Sequence, residues 1–434
     1  MKYILSIVSI LSISTLASAQ QLLTLDDAIK TALKANYDIL IAQNDADIAQ
    51  NNHSLGNAGA LPQVNLIAND NFNYNSKTVQ KLSTGDEIRR SGALSNSLNY
   101  GVALNWTLFD GMKMFTTYSK LGEIEEQNMA ALKIKVENTV AQVINGYYDI
   151  VRQKQTLIAL QEALDIMGER LKIAETRQEL GSASKLDVLQ AKVDLNANRS
   201  QMLKQQQMLV DSKVNLNYLM SSPIDGNFEV IDTVAISSID SYAAIKQQVE
   251  QQNSTLAYAL RSKNVANLAL KEMRSYRLPN IAITGGYLFS QSQNQASIIA
   301  SSKANGLNAG FTATLPLFNG FNINRNIKNA ELQTYSSEQL YNSSKAQLDG
   351  ATDKAYRGFT NNVAILKMEE DNFLLAKENV DVALLRYKLG SINSLDLKEA
   401  QKSYLDAEYR LVSARYDTKV SETNLKKLAG ELVK

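Results

Sequence analysis

From Leu397 to Leu428 the chain places apolar or small residues at steps of alternately three and four: Leu397, Ala400, Tyr404, Ala407, Leu411, Ala414, Thr418, Ser421, Leu425 and Leu428. The positions 209 residues earlier keep the same register, through Val188, Ala191, Leu195, Asn198, Met202, Gln205, Leu209, Ser212, Leu216 and Leu219. Leu157, Leu160, Leu164, Met167, Leu171 and Ala174 form a preceding seam, matched by Leu366, Phe373, Ala376, Val380 and Ala383. A sustained seam of this period predicts antiparallel helical hairpins in coiled-coil packing. Residues 112 to 179 and 321 to 388 contain no proline and read as helix throughout. A helix of roughly 70 residues is about 100 Å long at 1.5 Å per residue.

The second pattern has period two. Val64, Leu66, Ala68, Phe72 and Tyr74 alternate with asparagines, and Tyr100, Val102, Leu104, Trp106 and Leu108 alternate with small or polar residues. Ile281, Ile283, Tyr287 and Phe289, then Leu307, Ala309, Phe311, Ala313 and Leu315, repeat it in the second half. These runs have the length and the one apolar face of tilted membrane strands. Trp106, Phe109 and Phe318, near the run ends, are candidate interface aromatics.

Both patterns belong to one duplication. Leu180-Gly181-Ser182 with Leu186-Asp187 returns as Leu389-Gly390-Ser391 with Leu395-Asp396, and Leu108-Phe109-Asp110-Gly111 returns as Leu317-Phe318-Asn319-Gly320, all 209 apart. Leu61-Pro62 and Leu278-Pro279 are 217 apart, so about eight residues changed between the elements. The expected organisation is a signal peptide over 1–19, a first repeat over 20–222, a linker over 223–240 and a second repeat over 241–434. The first repeat comprises a helix at 24–59, strands at 64–75 and 99–109 and a helical hairpin at 110–222. The second comprises a helix at 241–276, strands at 280–290 and 306–317 and a hairpin at 320–431. Residues 75–98 and 291–305 are expected as outer loops. Gly181 and Gly390 are expected as left-handed helix terminators, with Ser184 and Ser394 as the following N-caps.

Composition narrows the function classes. Lys2, Ile4 to Leu16 and Ala17-Ser18-Ala19 have the form of a cleaved export signal. Without Lys2 the 45 basic residues become 44 against 44 acidic ones, which offers no footprint for nucleic acid. There is no cysteine, and the one histidine, His53, reads as a surface residue, so neither a metal nor any other cofactor is expected. No phosphate-binding or hydrolase motif appears, and the protein is not expected to be an enzyme. No helical stretch suits a membrane span, so a spanning protein must use strands. Four strands cannot enclose water alone, since open edges are not tolerated in hydrocarbon. Two chains would give a narrow eight-stranded barrel and three a 12-stranded one with room for a channel.

Together, Leu25-Asp26-Asp27-Ala28 with Ala32 and Asn36, both LP starts, both LF(D/N)G elements and both tip motifs resemble the TolC-like outer-membrane efflux proteins across nearly the whole mature chain. The resemblance implies an α+β membrane protein, a homotrimer with a 12-stranded barrel in outer-membrane lipid and a periplasmic helical barrel. It implies an exit duct for a tripartite pump or type I secretion system. The partners implied are a periplasmic adaptor and an inner-membrane transporter of the RND, ABC or MFS type. Gly181, Ser182, Leu186, Gly390, Ser391 and Leu395 would then lie at the adaptor-docking tip. Asp396 and Glu399 would be lumen-facing acids, and Asp187 and Tyr387 would match the closed-gate network. Members can carry an arginine where this chain has Ile392, so Arg386, Lys185 and Arg177 are the candidate substitutes. The alternative from the residues alone is a soluble periplasmic coiled-coil scaffold.

Overall fold

The computed structural model describes residues 21–224 and 228–433; the expected signal peptide and residues 225–227 of the expected linker lie outside them. In chain order these form β1 (Gln21–Leu23), α1 (Leu25–Ala35), α2 (Tyr37–Asn52), β2 (Gln63–Lys81), β3 (Glu87–Phe109), α3 (Lys113–Glu179) and α4 (Lys185–Leu219). The second half supplies β4 (Phe228–Val230), α5 (Tyr242–Gln252), α6 (Ser254–Ser275), β5 (Asn280–Asn294), β6 (Ser301–Thr314), α7 (Asn322–Lys388) and α8 (Ser394–Ala429). Two compact units cut across the duplication. One contains residues up to 41, 134–253 and from 348 onward; the other contains 42–133 and 254–347. Each therefore draws on both repeats.

The second unit holds an antiparallel sheet in the order β2-β3-β5-β6. Direct cross-strand partners such as Leu66, Val102, Tyr287 and Leu307 share one face, which makes that face continuously apolar. Its large side chains, Leu66, Phe72, Leu307 and Phe311 among them, are exposed. The row Asp70–Leu98–Gln291–Lys303 interrupts the apolar band; beyond it Phe72 and Tyr74 continue the band on β2, while Asn96, Gln293 and Ser301 make the same face polar on the other three strands. The strands run further than the apolar alternation does. The expected outer loop 75–98 is mostly a paired hairpin closed by residues 82–86, and the loop expected at 291–305 contracts to 295–300. Polar side chains on both faces erase the period-two signal there while backbone pairing continues.

Strands turn into helices through the LF(D/N)G elements. Gly111 and Gly320 have φ of +74° and +66°, and the next residues, Met112 and Phe321, are left-handed as well. The Asp110 carboxylate accepts from the Met114 N–H at 3.0 Å and caps α3. The two glycines differ in their surroundings: a Cβ at 111 would lie 2.5 Å from the Ser275 carbonyl oxygen, whereas at 320 it would meet only the Asn322 amide at 3.7 Å. Gly111→Ala is therefore expected to cost at least about 3 kcal/mol from backbone strain plus overpacking, and Gly320→Ala only about 1 kcal/mol from strain. Thermal unfolding of the two variants measures the difference.

In the first unit the long helices bury the heptad seams. Leu397, Ala400, Tyr404, Ala407, Leu411, Ala414, Thr418 and Leu425 are buried on α8, and Val188, Ala191, Leu195, Gln205 and Leu216 on α4. The single helices expected at 24–59 and 241–276 are each broken, at Asn36 and Asn253. Both asparagines leave the helical region, and each side-chain amide donates to a distant carbonyl, Leu219 at 2.8 Å and Leu428 at 2.9 Å. The Asn36 side-chain oxygen also accepts from the Asp38 N–H, which starts α2. A short parallel pair, β1 with β4, lies on the same core. Tyr147 joins its ends: the hydroxyl donates to the Leu23 carbonyl at 3.0 Å and accepts from the Ile231 N–H at 3.1 Å.

Candidate functional site: the paired hairpin tips

The two hairpin turns use the same local chemistry. Gly181 and Gly390 take φ of +73° and +77°, and the N–H groups of Ser182 and Ser391 return to the carbonyls of Arg177 and Arg386 at 2.8 and 2.9 Å. Ser184 then caps α4 in a capping box with Asp187. At the second turn the cap is Asn393 rather than Ser394, because the Asn393 amide oxygen reaches the N–H groups of both Leu395 and Asp396 at 2.9 Å. Asp396 completes that capping box. Both tip aspartates thus hold the first turn of a helix, whatever else they do.

The turns bring the two motifs together. A cleft of about 460 Å³ is lined by Arg177, Asp187, Tyr387, Gly390, Ile392 and Asp396, among others. A second, of about 430 Å³, has Arg386, Ile392, Asp396 and Glu399 in its wall. Asp396 borders both; Glu399 borders only the second. Tyr387 is buried, with the Arg177 guanidinium 5.4 Å above its ring. Ile392, at the site where the resemblance implies that an arginine can stand, packs on the Val380, Leu397 and Tyr404 cluster instead. Of the three candidate substitutes, Arg177 shares the first cleft with both aspartates, Arg386 the second with Asp396 and Glu399, and Lys185 lines neither. Leu186 and Leu395 project into solvent beside the turns, which also leave Gly181, Ser182, Gly390 and Ser391 exposed. Away from the tip, Trp106 and Phe318 are exposed and Phe109 partly so; the Trp106 indole N–H donates to the Ala60 carbonyl at 3.0 Å.

A polar network behind the tip escaped the sequence reading, since heptad positions carry no information on their flanks. Arg170 is 2% exposed and donates to Asp194 at 2.7 Å and to the Gln401 side chain at 3.2 Å. Lys398 reaches the other Asp194 oxygen at 2.9 Å. Burial pushes the Asp194 carboxyl up, but the hydrogen bonds from Lys398 and Arg170 outweigh it and hold the group below its usual range. Further along, the Tyr404 hydroxyl donates to Glu162 at 2.8 Å. Burial and then the charge of Glu162 push the neighbouring Glu408 up to about 7, opposed by Tyr404 and by Lys377 on α7. The sign follows from proton binding. Below pH 4.5 folded and unfolded chains both hold the proton. Between there and about 7 the folded chain binds it more tightly, so stability falls as pH rises. The loss above 7 is on the order of 2 kcal/mol, discounted for the partial exposure of the group. Glu408→Gln should remove it and narrow the gap in Tm between pH 5 and pH 8; an unchanged gap would count against this assignment.

His53, expected at the surface, is partly buried: Nδ1 lies 2.6 Å from a Glu125 oxygen, and the ring is 4.4 Å from that of Tyr118. Among the described residues no helix is long and apolar enough to cross a membrane.

An exposed apolar sheet face joined to paired helical hairpins defines an outer-membrane channel protomer. The chain belongs to the outer membrane efflux protein family, whose model matches residues 28–221 and 245–431. It is similar to the outer membrane protein TolC of Vibrio cholerae, at 23% identity over 100% of this chain and 96% of the relative. Its fold is similar to that of the outer-membrane channel OprN, with a TM-score of 0.80 at 17% identity, covering 94% of this chain and 89% of that one. The outer membrane protein VceC of Vibrio cholerae gives 0.77 at 17% identity, over 94% and 96%. The protein is an outer-membrane efflux channel, and the soluble-scaffold alternative is set aside.

Proposed function

We propose that three copies close one barrel and one helical tunnel, and that the tip clefts both gate this duct and receive a periplasmic adaptor linked to an inner-membrane transporter. The observation that carries the reading is the four-stranded sheet, whose order leaves β2 and β6 as edges. Open edges are not stable in lipid, and three times four strands closes a barrel of porin-like bore where two times four does not. Asp396 and Glu399, one helical turn apart and exposed, would then form rings of negative charge at the tunnel end. Asp187 and Tyr387, which share the first cleft with Arg177, would shape its closed state. Gly181, Ser182, Leu186, Gly390, Ser391 and Leu395 would form the docking surface, with Leu186 and Leu395 as its apolar contacts. Trp106, Phe109 and Phe318 would sit at the membrane boundary. Co-purification of a cross-linked adaptor through a photoreactive residue at Leu186 or Leu395 tests the docking role; cross-links that form only to the chain itself would refute it.

A further inference from the structure

Strands β5 and β6 carry a single charged residue between them, Lys303, and it lies on the apolar face of the sheet. A lysine on the lipid side of a barrel is strongly unfavourable at the bilayer midplane and nearly free of cost at its boundary. The position of Lys303 fits the boundary. Ten residues separate it from Ala313 on the same face of β6; at about 3.4 Å per residue and a tilt of about 40°, that spans roughly 26 Å of thickness, the height of a barrel's apolar band. The helices join the strands at the end near Phe109 and Thr314, and the hairpins at 82–86 and 295–300 close the other end. With the helices on the periplasmic side, Lys303 stands at the outer leaflet.

Around it the sheet forms a shallow cleft of about 170 Å³, lined by Tyr100, Phe289, Gln291, Lys303 and Asn305 among others. The rings of Tyr100 and Phe289 are stacked, 5.1 Å apart and 9° from parallel, and both are exposed. Asn305 is held in place by donating to the Tyr287 hydroxyl at 3.0 Å. The Lys303 ammonium makes no ion pair among the described residues. We propose that this cleft binds a phosphorylated glycolipid of the outer leaflet: a phosphate on Lys303, sugar hydroxyls on the amides of Gln291 and Asn305, and an acyl chain along the Tyr100 and Phe289 rings. The chemistry is divided accordingly, with a cation at the headgroup level, neutral amides beside it and an aromatic platform on the hydrocarbon side. The two amides favour a sugar-bearing lipid over a glycerol phospholipid, which has the phosphate but fewer hydroxyls to engage them. The proposal rests on the sheet lying in lipid, which is measured separately below.

The test is lipid retention by the full-length protein in a non-ionic detergent, read by native mass spectrometry. The probes are diphosphorylated lipid A, the same lipid with its phosphates removed, and phosphatidylglycerol. The phosphorylated glycolipid should be retained about fivefold more strongly than its dephosphorylated form, the effect of one lysine beside an anionic headgroup. Lys303→Gln should abolish that preference and Lys303→Arg should keep it, while Phe289→Ala should weaken retention of both forms. Asp70→Asn removes the only carboxylate on this face of the strands and should change nothing. Stronger retention by that variant would show Lys303 engaged with Asp70 in the assembled protein and overturn the site. An undiminished preference in Lys303→Gln would overturn it too, and phosphatidylglycerol held as tightly as the glycolipid would overturn the assignment of the ligand. Flotation of the same preparations with liposomes reports on the sheet itself: protein that floats but ignores the phosphates refutes only the site, and protein that does not float refutes both.

Discussion

Gly390→Trp is expected to abolish efflux while leaving the protein folded, trimeric and in the outer membrane. The turn is exposed, and a Cβ at this position would stand 3.4 Å from the Arg177 guanidinium, which can yield. The φ of +77° makes any side chain cost about 1–2 kcal/mol. That is modest beside the hairpin core next to it, where Val380, Tyr387 and Leu397 are buried. The indole would fill the mouth of the cleft that Gly390 lines with Tyr387 and Asp396. Cells carrying it should be as sensitive to pump substrates as cells lacking the protein, a loss of at least about tenfold in tolerance, because an anchor pocket filled from one side cannot accept its partner. Gly390→Ala, which carries the φ cost without the bulk, should export nearly normally. Normal export by the tryptophan variant would refute a docking role for this turn.

The second large effect is expected on ion preference. Asp396→Asn with Glu399→Gln removes two acids per chain and so, under threefold symmetry, two complete rings. Neither side chain forms an ion pair among the described residues, so no ion pair described here would neutralise the charge of the proposed rings. Cation over anion preference in a planar bilayer should fall by about threefold or more, since rings of fixed charge set the local ion concentration at a constriction. Asparagine at 396 retains an amide oxygen for the capping box, which limits the structural cost to roughly 1 kcal/mol or less. An unchanged ion preference would place these acids away from the conducting path.

Sequence periodicity reached much of this fold because long elements repeat their signal many times. The α8 seam from Leu397 to Leu425 is buried nearly position by position, and Gly181 and Gly390 do end their helices in left-handed geometry. What it missed depends on single side chains or on distant backbone. Asn36 breaks a helix because its amide finds the Leu219 carbonyl, which nothing within the local window announces. The β1–β4 pair joins segments about two hundred residues apart, with only three residues in each strand. Ser394 and Asn393 are both good N-caps, and the turn geometry chose between them. The tip residues were legible as a repeated motif, but their joint clefts were not, because the spacing of a repeat does not say that its two copies face one space. Arg170, Asp194 and Gln401 lie beside the heptad seam and become visible only when three helices are packed.

The central claim is that one protomer contributes a third of a closed wall. Determining the number of chains in the purified particle, from its mass in detergent with the detergent subtracted, tests it most directly. Three chains are predicted. A particle of one chain, or of two, would leave too few strands to surround water and would contradict the duct together with its gate and docking surface.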